Sequence, residues 1–117
     1  MIYLSANHQP YAKIKVRLGR QWILVDSLID TGFSAGLALP ERYLIFMKTT
    51  SKWKQAFELA DGSLVEFNLY KLTVKIADKH KIVSAVFSKS NDALAGIELL
   101  DGFRLELDLK KYKISLT

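Results

Sequence analysis

The sequence has 117 residues; half of them are hydrophobic, a quarter are charged, and none is cysteine. This length and composition predict one globular domain spanning residues 1–117, with a single modest core. The lack of cysteine excludes disulfides, thiolate nucleophiles and cysteine-based metal sites. No apolar run is long enough to span a bilayer, and the first residues lack the pattern of a signal peptide. We therefore expect no membrane association and a cytoplasmic location.

The formal net charge of +5 at pH 7 raises the question of nucleic-acid binding. Lys13, Lys15 and Arg17 alternate with apolar residues and would give one strand a basic outer face. A half-buried strand, however, needs only polar residues of some kind on that face. Acidic residues are scattered among the basic ones, and the aromatic residues form no evident stacking platform. The sequence therefore argues against nucleic acid as the main partner.

In chain order, residues 1–10 predict an arm or an edge strand, because Pro10 is unsuited to a central strand. The run Tyr11–Leu18 alternates between apolar and polar residues, and Gln21–Ile29 returns as a second strand, so the two predict a hairpin joined by a two-residue turn. Further along, Pro40 suits the first turn of a short helix. The first half of the chain thus predicts mainly short strands.

A second hairpin is predicted around Asp61-Gly62, which is the strongest short turn signal in the chain. Its arms would be Gln55–Ala60 and Ser63–Tyr70. With a two-residue turn, Leu59 lies opposite Leu64. From these residues alone, an ordinary surface hairpin is the simpler interpretation.

The remaining residues predict more short strands and one helical turn. Alternating apolar positions indicate a strand over 72–76, residues 82–87 form its partner strand after a charged turn, and residues 105–116 indicate a closing hairpin. Between them, Ala93–Gly96 is a run of small residues that suits close approach of another backbone, and Ile97–Leu100 suits one helical turn. About eight short strands with one or two short helices predict an all-β, closed barrel-like domain.

Asp30-Thr31-Gly32 stands out because it directly follows an apolar strand and precedes the apolar run Leu37–Pro40. An acidic residue at the end of a buried strand is costly unless hydrogen bonds or a change of protonation compensate it. Thr31 offers a hydroxyl, and Gly32 lets the backbone turn so that amides approach the carboxylate. Although Asp-Thr-Gly is also ordinary turn chemistry, this setting makes Asp30 a candidate catalytic residue.

The segment Asp30-Thr31-Gly32-Phe33-Ser34, followed by Leu37–Pro40, resembles the active-site segment of the retropepsin-like aspartic peptidases. The likeness is to the small single-domain prokaryotic type. Ala60–Ser63 resembles the tip of their flap hairpin, and Asp92–Leu100 resembles the segment and short helix behind their catalytic loop. The resemblance covers roughly residues 11–116. It implies a closed barrel-like retropepsin fold with one lobe per chain.

The resemblance also implies two carboxylates that share one proton, since like charges in contact cannot both ionise cheaply. The chain has one Asp-Thr-Gly, so this pair implies a homodimer, with a peptide or protein as substrate and no metal or cofactor. The implied catalytic residues are Asp30, Thr31 and Gly32. The implied substrate-binding residues are Phe33, Ser34, Asp61, Gly62 and Ser63.

The predicted function is an aspartic endopeptidase in which the paired Asp30 carboxylates of a homodimer activate a water molecule. Two alternatives stay open. One is a catalytically weak dimer of the same fold that binds a partner protein, and the other is a basic barrel that binds nucleic acid. Resemblance of fold cannot decide between peptidase and interaction module, because one fold can host both.

Overall fold

The computed structural model describes residues 1–117, and 56% of them lie in strands, which confirms the all-β prediction. None of the helices has the length and apolar character needed to cross a membrane. The elements in chain order are β1 (Ile2–Leu4), β2 (Pro10–Leu18), β3 (Gln21–Ile29), β4 (Leu37–Pro40), a 3₁₀ helix (Glu41–Phe46), β5 (Trp53–Glu58), β6 (Leu64–Ile76), β7 (Lys79–Ser88), β8 (Ala93–Ala95), α1 (Ile97–Leu100), β9 (Leu105–Asp108) and β10 (Lys113–Leu116).

Six strands close into a barrel in the order β2-β3-β8-β4-β7-β6, because β6 pairs back with β2. That closing contact is short and joins Lys15 to Lys75 and Val16 to Val74. β1 and β5 lie at the two ends of the sheet, so the predicted edge strand near the N-terminus is confirmed. β9 and β10 form a separate two-stranded sheet, which is the predicted closing hairpin.

The barrel interior is filled by one cluster of 18 buried residues. Alternation along β2 sends Ile14, Val16 and Leu18 inward, and none of them is more than 1% exposed. Burying each such side chain contributes about 1.5–3 kcal/mol, so this alternation is the main source of the barrel's stability. The buried hydroxyl of Ser27 donates to the carbonyl of Ala12 at 2.8 Å, which satisfies a polar group in an otherwise apolar layer.

The hairpin between β5 and β6 differs from its prediction by one residue of register. Glu58 lies opposite Leu64, so the predicted pairing of Leu59 with Leu64 is wrong. The amide of Gly62 donates to the carbonyl of Leu59 at 2.9 Å, and the amide of Leu59 donates to Ser63 at 2.8 Å. This is a three-residue loop that ends in a left-handed glycine, since Gly62 has φ 85°. A one-residue shift exchanges the two faces of one arm relative to the other arm.

The sequence also predicted a break between Ser63–Tyr70 and residues 72–76, but the structure has one continuous strand there. β6 runs for 13 residues, from the hairpin loop into the barrel wall. It pairs with β5 over its first part and with β7 over its last part. The hairpin is therefore an extension of a barrel strand, and its position relative to the barrel is set by that strand.

Candidate active site at the end of strand β3

Asp30 directly follows β3, and hydrogen bonds hold its backbone from two sides. Its amide donates to the carbonyl of Ala95 at 2.9 Å, and its carbonyl accepts from the amide of Phe33 at 3.1 Å. The amide of Gly32 donates to Oδ1 of the Asp30 carboxylate at 3.0 Å. The predicted approach of a backbone amide to this carboxylate is confirmed. One carboxylate oxygen is thus fixed, while Oδ2 accepts no hydrogen bond within the chain.

The loop after Asp30 is packed against the start of α1. The amide of Ile97 donates to the carbonyl of Phe33 at 2.8 Å. A Cβ on Gly96 would lie 2.8 Å from that same carbonyl oxygen and 2.7 Å from Cδ2 of Phe33, and closer still to the carbonyl oxygen of Ala35. The small-residue run therefore approaches another backbone as predicted. Only glycine at position 96 lets the loop sit where it does.

A polar network below the loop ties α1 to the barrel, and sequence reasoning missed it. Glu98 accepts a hydrogen bond from the amide of Ser84, and the Ser84 hydroxyl lies 3.3 Å from the other carboxylate oxygen. Lys71 donates to the same hydroxyl at 2.9 Å, and the amide of Gly36 donates to the Ser84 carbonyl at 3.0 Å. The signal was present, because Glu98 is the one acid in an otherwise apolar helical turn. Its part is to support the loop that carries Asp30.

A cleft of about 840 Å³ opens beside Asp30 and beneath the β5–β6 hairpin. The structure therefore brings the Asp30 loop and the hairpin tip together at one cleft. The predicted site residues that line this cleft are Asp30, Gly32, Phe33, Ser34 and Gly62. The rest of its wall comes from the hairpin residues Ala56, Phe57, Glu58, Leu59, Ala60 and Phe67 and from Ala38, Val86, Ser88 and Leu94.

Thr31, Asp61 and Ser63 are exposed and do not line the cleft. Asp61 accepts hydrogen bonds from the Ser63 hydroxyl at 2.6 Å and from the Ser63 amide at 2.9 Å. These two hydrogen bonds hold the pKa of Asp61 below its ordinary value, and the bond from the Ser63 hydroxyl has the larger effect. The charged form therefore stabilises the loop at neutral pH, and this support is lost as the pH falls through the lowered pKa. Within one chain, Asp61 and Ser63 shape the hairpin tip.

Two aromatic residues of the hairpin join it to the Asp30 loop. The ring centre of Phe57 lies 5.6 Å from the ring centre of Phe33 and 5.9 Å from that of Phe67. Sequence reasoning missed both cleft residues, because the predicted register places Phe57 and Phe67 on opposite faces of the hairpin. The available signal was one phenylalanine in each arm of the hairpin. These rings give the cleft an apolar wall suited to apolar side chains of a ligand.

Asp30 and Glu58 are the two acidic residues that line the cleft. Glu58 ends β5 and is exposed on the hairpin, whereas Asp30 is partly buried in the braced loop. Nowhere in the chain do three His, Cys, Asp or Glu side chains come together as a set that could hold a metal ion. Asp30 is thus the carboxylate of this cleft that a backbone hydrogen bond holds in position.

Neither the comparison with models of protein families nor the comparison with curated proteins finds a match for this chain. Its function is accordingly inferred from the geometry of the cleft and from the resemblance of its motifs.

Proposed function

We propose that this protein is an aspartic endopeptidase whose active site forms when two copies place their Asp30 carboxylates in contact. The observation that carries the proposal is the position of Asp30 in a cleft beneath the hairpin. Gly32 fixes one oxygen of its carboxylate, and the other oxygen is left free for a partner. A positioned carboxylate beside an apolar, ligand-sized cleft is the arrangement that general acid–base chemistry requires.

One carboxylate alone cannot act as acid and base in the same step. When two carboxylates are in contact, one keeps a proton while the other is ionised. The ionised Asp30 accepts a proton from a water molecule, whose oxygen attacks the carbonyl carbon of the scissile peptide. The protonated Asp30 of the second copy donates its proton to the carbonyl oxygen. The tetrahedral intermediate then collapses as the amine is protonated and leaves.

The surface around Asp30 is suited to a second copy of the chain. Thr31 and Gly32 are exposed beside it, and the Thr31 side chain makes no hydrogen bond within its own chain. In a two-fold dimer the same surface occurs on both sides of the interface. Thr31 of each copy is then placed to brace the opposite loop, and the two clefts join across the axis.

The hairpin is suited to an extended peptide. β5 lies at one end of the eight-stranded sheet, so one of its edges has no strand partner. A peptide backbone can pair with such a free edge, while alternate side chains enter pockets. Phe57 and Phe67 would contact apolar side chains of the substrate, and Gly62 at the tip would close over it. This predicts a preference for apolar residues next to the cleaved bond.

The proposal is tested by measuring the hydrolysis of a fluorogenic peptide library while the protein concentration is varied. If two copies build the site, activity per milligram rises with concentration until the dimer is saturated. A sedimentation series over the same concentrations gives the dimer fraction for comparison. The alternative within one chain is a pair made by Asp30 and Glu58. Activity per milligram that is constant at every dilution, together with loss of activity in Glu58→Gln, would contradict the dimeric site.

A further inference from the structure

A second surface lies on the outer wall of the barrel, where four neighbouring strands place basic and apolar side chains side by side. Lys15 of β2 lies directly opposite Leu24 of β3 and Lys75 of β6, and Lys75 lies opposite His80 of β7. In the adjoining positions Trp22 lies opposite Arg17. We call this surface the basic face, and it consists of Lys15, Arg17, Trp22, Leu24, Lys75 and His80.

The cations of the basic face have no acidic partners. Lys15, Arg17 and Lys75 are exposed, and none of them takes part in the three ion pairs of the chain. Lys15 and Lys75 lie directly opposite each other on neighbouring strands, which is a destabilising arrangement for like charges. An anion bound between them would remove that repulsion. The fold therefore carries a local electrostatic cost that a polyanionic ligand would relieve.

The basic face continues into a pocket of about 720 Å³ beside the β2–β3 turn. Its charged lining residues are Arg17, Arg20, Lys48 and Lys71, with no acidic residue among them. A concave surface lined by one sign of charge concentrates the potential and attracts counter-charged ligands. Pocket and basic face share Arg17, so they form one continuous positive surface. Neither has a residue in common with the cleft at Asp30.

An exposed indole lies beside these cations. Trp22 is 43% exposed, and its ring centre is 5.9 Å from that of His80. Leu24 next to it is 57% exposed. Aromatic rings beside a basic track are what proteins use to stack the unpaired bases of a single strand. In the sequence, Trp22 and His80 are far apart, and only the closed barrel places both rings beside the lysines.

We propose that the basic face binds single-stranded nucleic acid, with phosphates on Lys15, Arg17, Lys75 and the adjoining pocket and a base stacked on Trp22. Base-paired bases do not offer a free face to an indole, so the exposed ring favours a single strand over a duplex. Positive charge alone would attract any polyanion equally. The specific element of the proposal is therefore the combination of Trp22 with the unpaired cations.

The test is the fluorescence anisotropy of a labelled oligothymidine mixed with the full chain at several salt concentrations. With about four phosphates neutralised, the slope of log affinity against log salt is expected to be about −3. The variant Lys15→Ala/Arg17→Ala/Lys75→Ala should reduce that slope by about 2. Its matched control removes three exposed lysines elsewhere, as Lys89→Ala/Lys110→Ala/Lys111→Ala, and should change the affinity far less.

Trp22→Ala should weaken oligothymidine binding by about 5- to 150-fold, and Trp22→Phe should restore most of it. Thermal melting of each variant verifies that the barrel remains folded. Equal losses in the two triple variants, no effect of Trp22→Ala in the folded protein, or equal binding of duplex DNA or polyglutamate would each overturn the proposal. Asp30→Asn should bind like the wild type, so the outcome is separate from that for peptidase activity.

Discussion

The Asp30→Asn variant is expected to hydrolyse peptides at least about 1,000-fold more slowly than the wild type. In a two-fold site both copies then carry an amide, and two amides cannot hold the shared proton, so both the acid and the base of the reaction are lost. The fold should survive, because the Asn side-chain oxygen can still accept the hydrogen bond that Gly32 donates at 3.0 Å. We therefore expect lost hydrolysis of the fluorogenic peptide library with an unchanged melting curve.

Asp101→Asn is the matched control for this variant. Asp101→Asn makes the same chemical change, but Asp101 is exposed beyond α1 and does not line the cleft. Its activity should stay within about twofold of the wild type, since surface changes away from special features have small effects. Hydrolysis by Asp30→Asn at a rate within tenfold of the wild type would show that another group performs the chemistry. Wild-type activity at the background level would favour the interaction module.

Gly96→Ala should destabilise the protein by about 3 kcal/mol, at the upper end of the range for overpacking. The added Cβ would lie 2.8 Å from the carbonyl oxygen of Phe33 and closer still to that of Ala35. Backbone oxygens cannot turn aside as a flexible side chain can, so the loop that carries Asp30 must move. We expect the melting temperature to fall by about 10 °C and hydrolysis to fall in the fraction that stays folded.

Gly102→Ala separates this steric effect from the general cost of replacing a glycine. Gly102 has φ 86°, and a Cβ there would meet no atom within 4 Å, so its cost is conformational only. We expect a loss of about 1 kcal/mol without any change in hydrolysis. If Gly96→Ala melted within about 2 °C of the wild type, the close packing of the Asp30 loop on α1 would be refuted.

The strands could be predicted from sequence because their signal is local. Alternation along Tyr11–Leu18 follows directly from burying one face of that strand. The pair of strands that closes the barrel could not be predicted in the same way, because Lys15 meets Lys75 only after the whole chain has folded. The prediction of the hairpin register was wrong for a local reason instead. Asp61-Gly62 matches a two-residue turn, but the bonds of Gly62 to Leu59 and of Asp61 to Ser63 stabilise a three-residue loop.

The features of the candidate site also divide into those that local sequence predicts and those that depend on residues distant in the chain. The hydrogen bond from Gly32 to Asp30 joins residues two positions apart, and the motif was sufficient to predict it. The aromatic wall of the cleft depends on the hairpin register, so Phe57 and Phe67 were missed together. Glu98, in α1, was missed because its partner, Ser84, lies in β7, 14 positions away in the chain. The local motif was thus sufficient to identify Asp30, whereas the rest of the cleft depends on pairing between residues distant in the sequence.

The central claim is that each of two chains contributes one Asp30 to a single site, and a mixing experiment tests it most directly. Wild-type protein and Asp30→Asn are combined in equal amounts above the dimer dissociation constant and allowed to exchange subunits. Random pairing leaves about a quarter of the dimers with two Asp30 residues, so we predict about a quarter of the activity of the same total amount of wild-type protein. Activity that stays at about half would show that each chain works alone, and it would contradict the account.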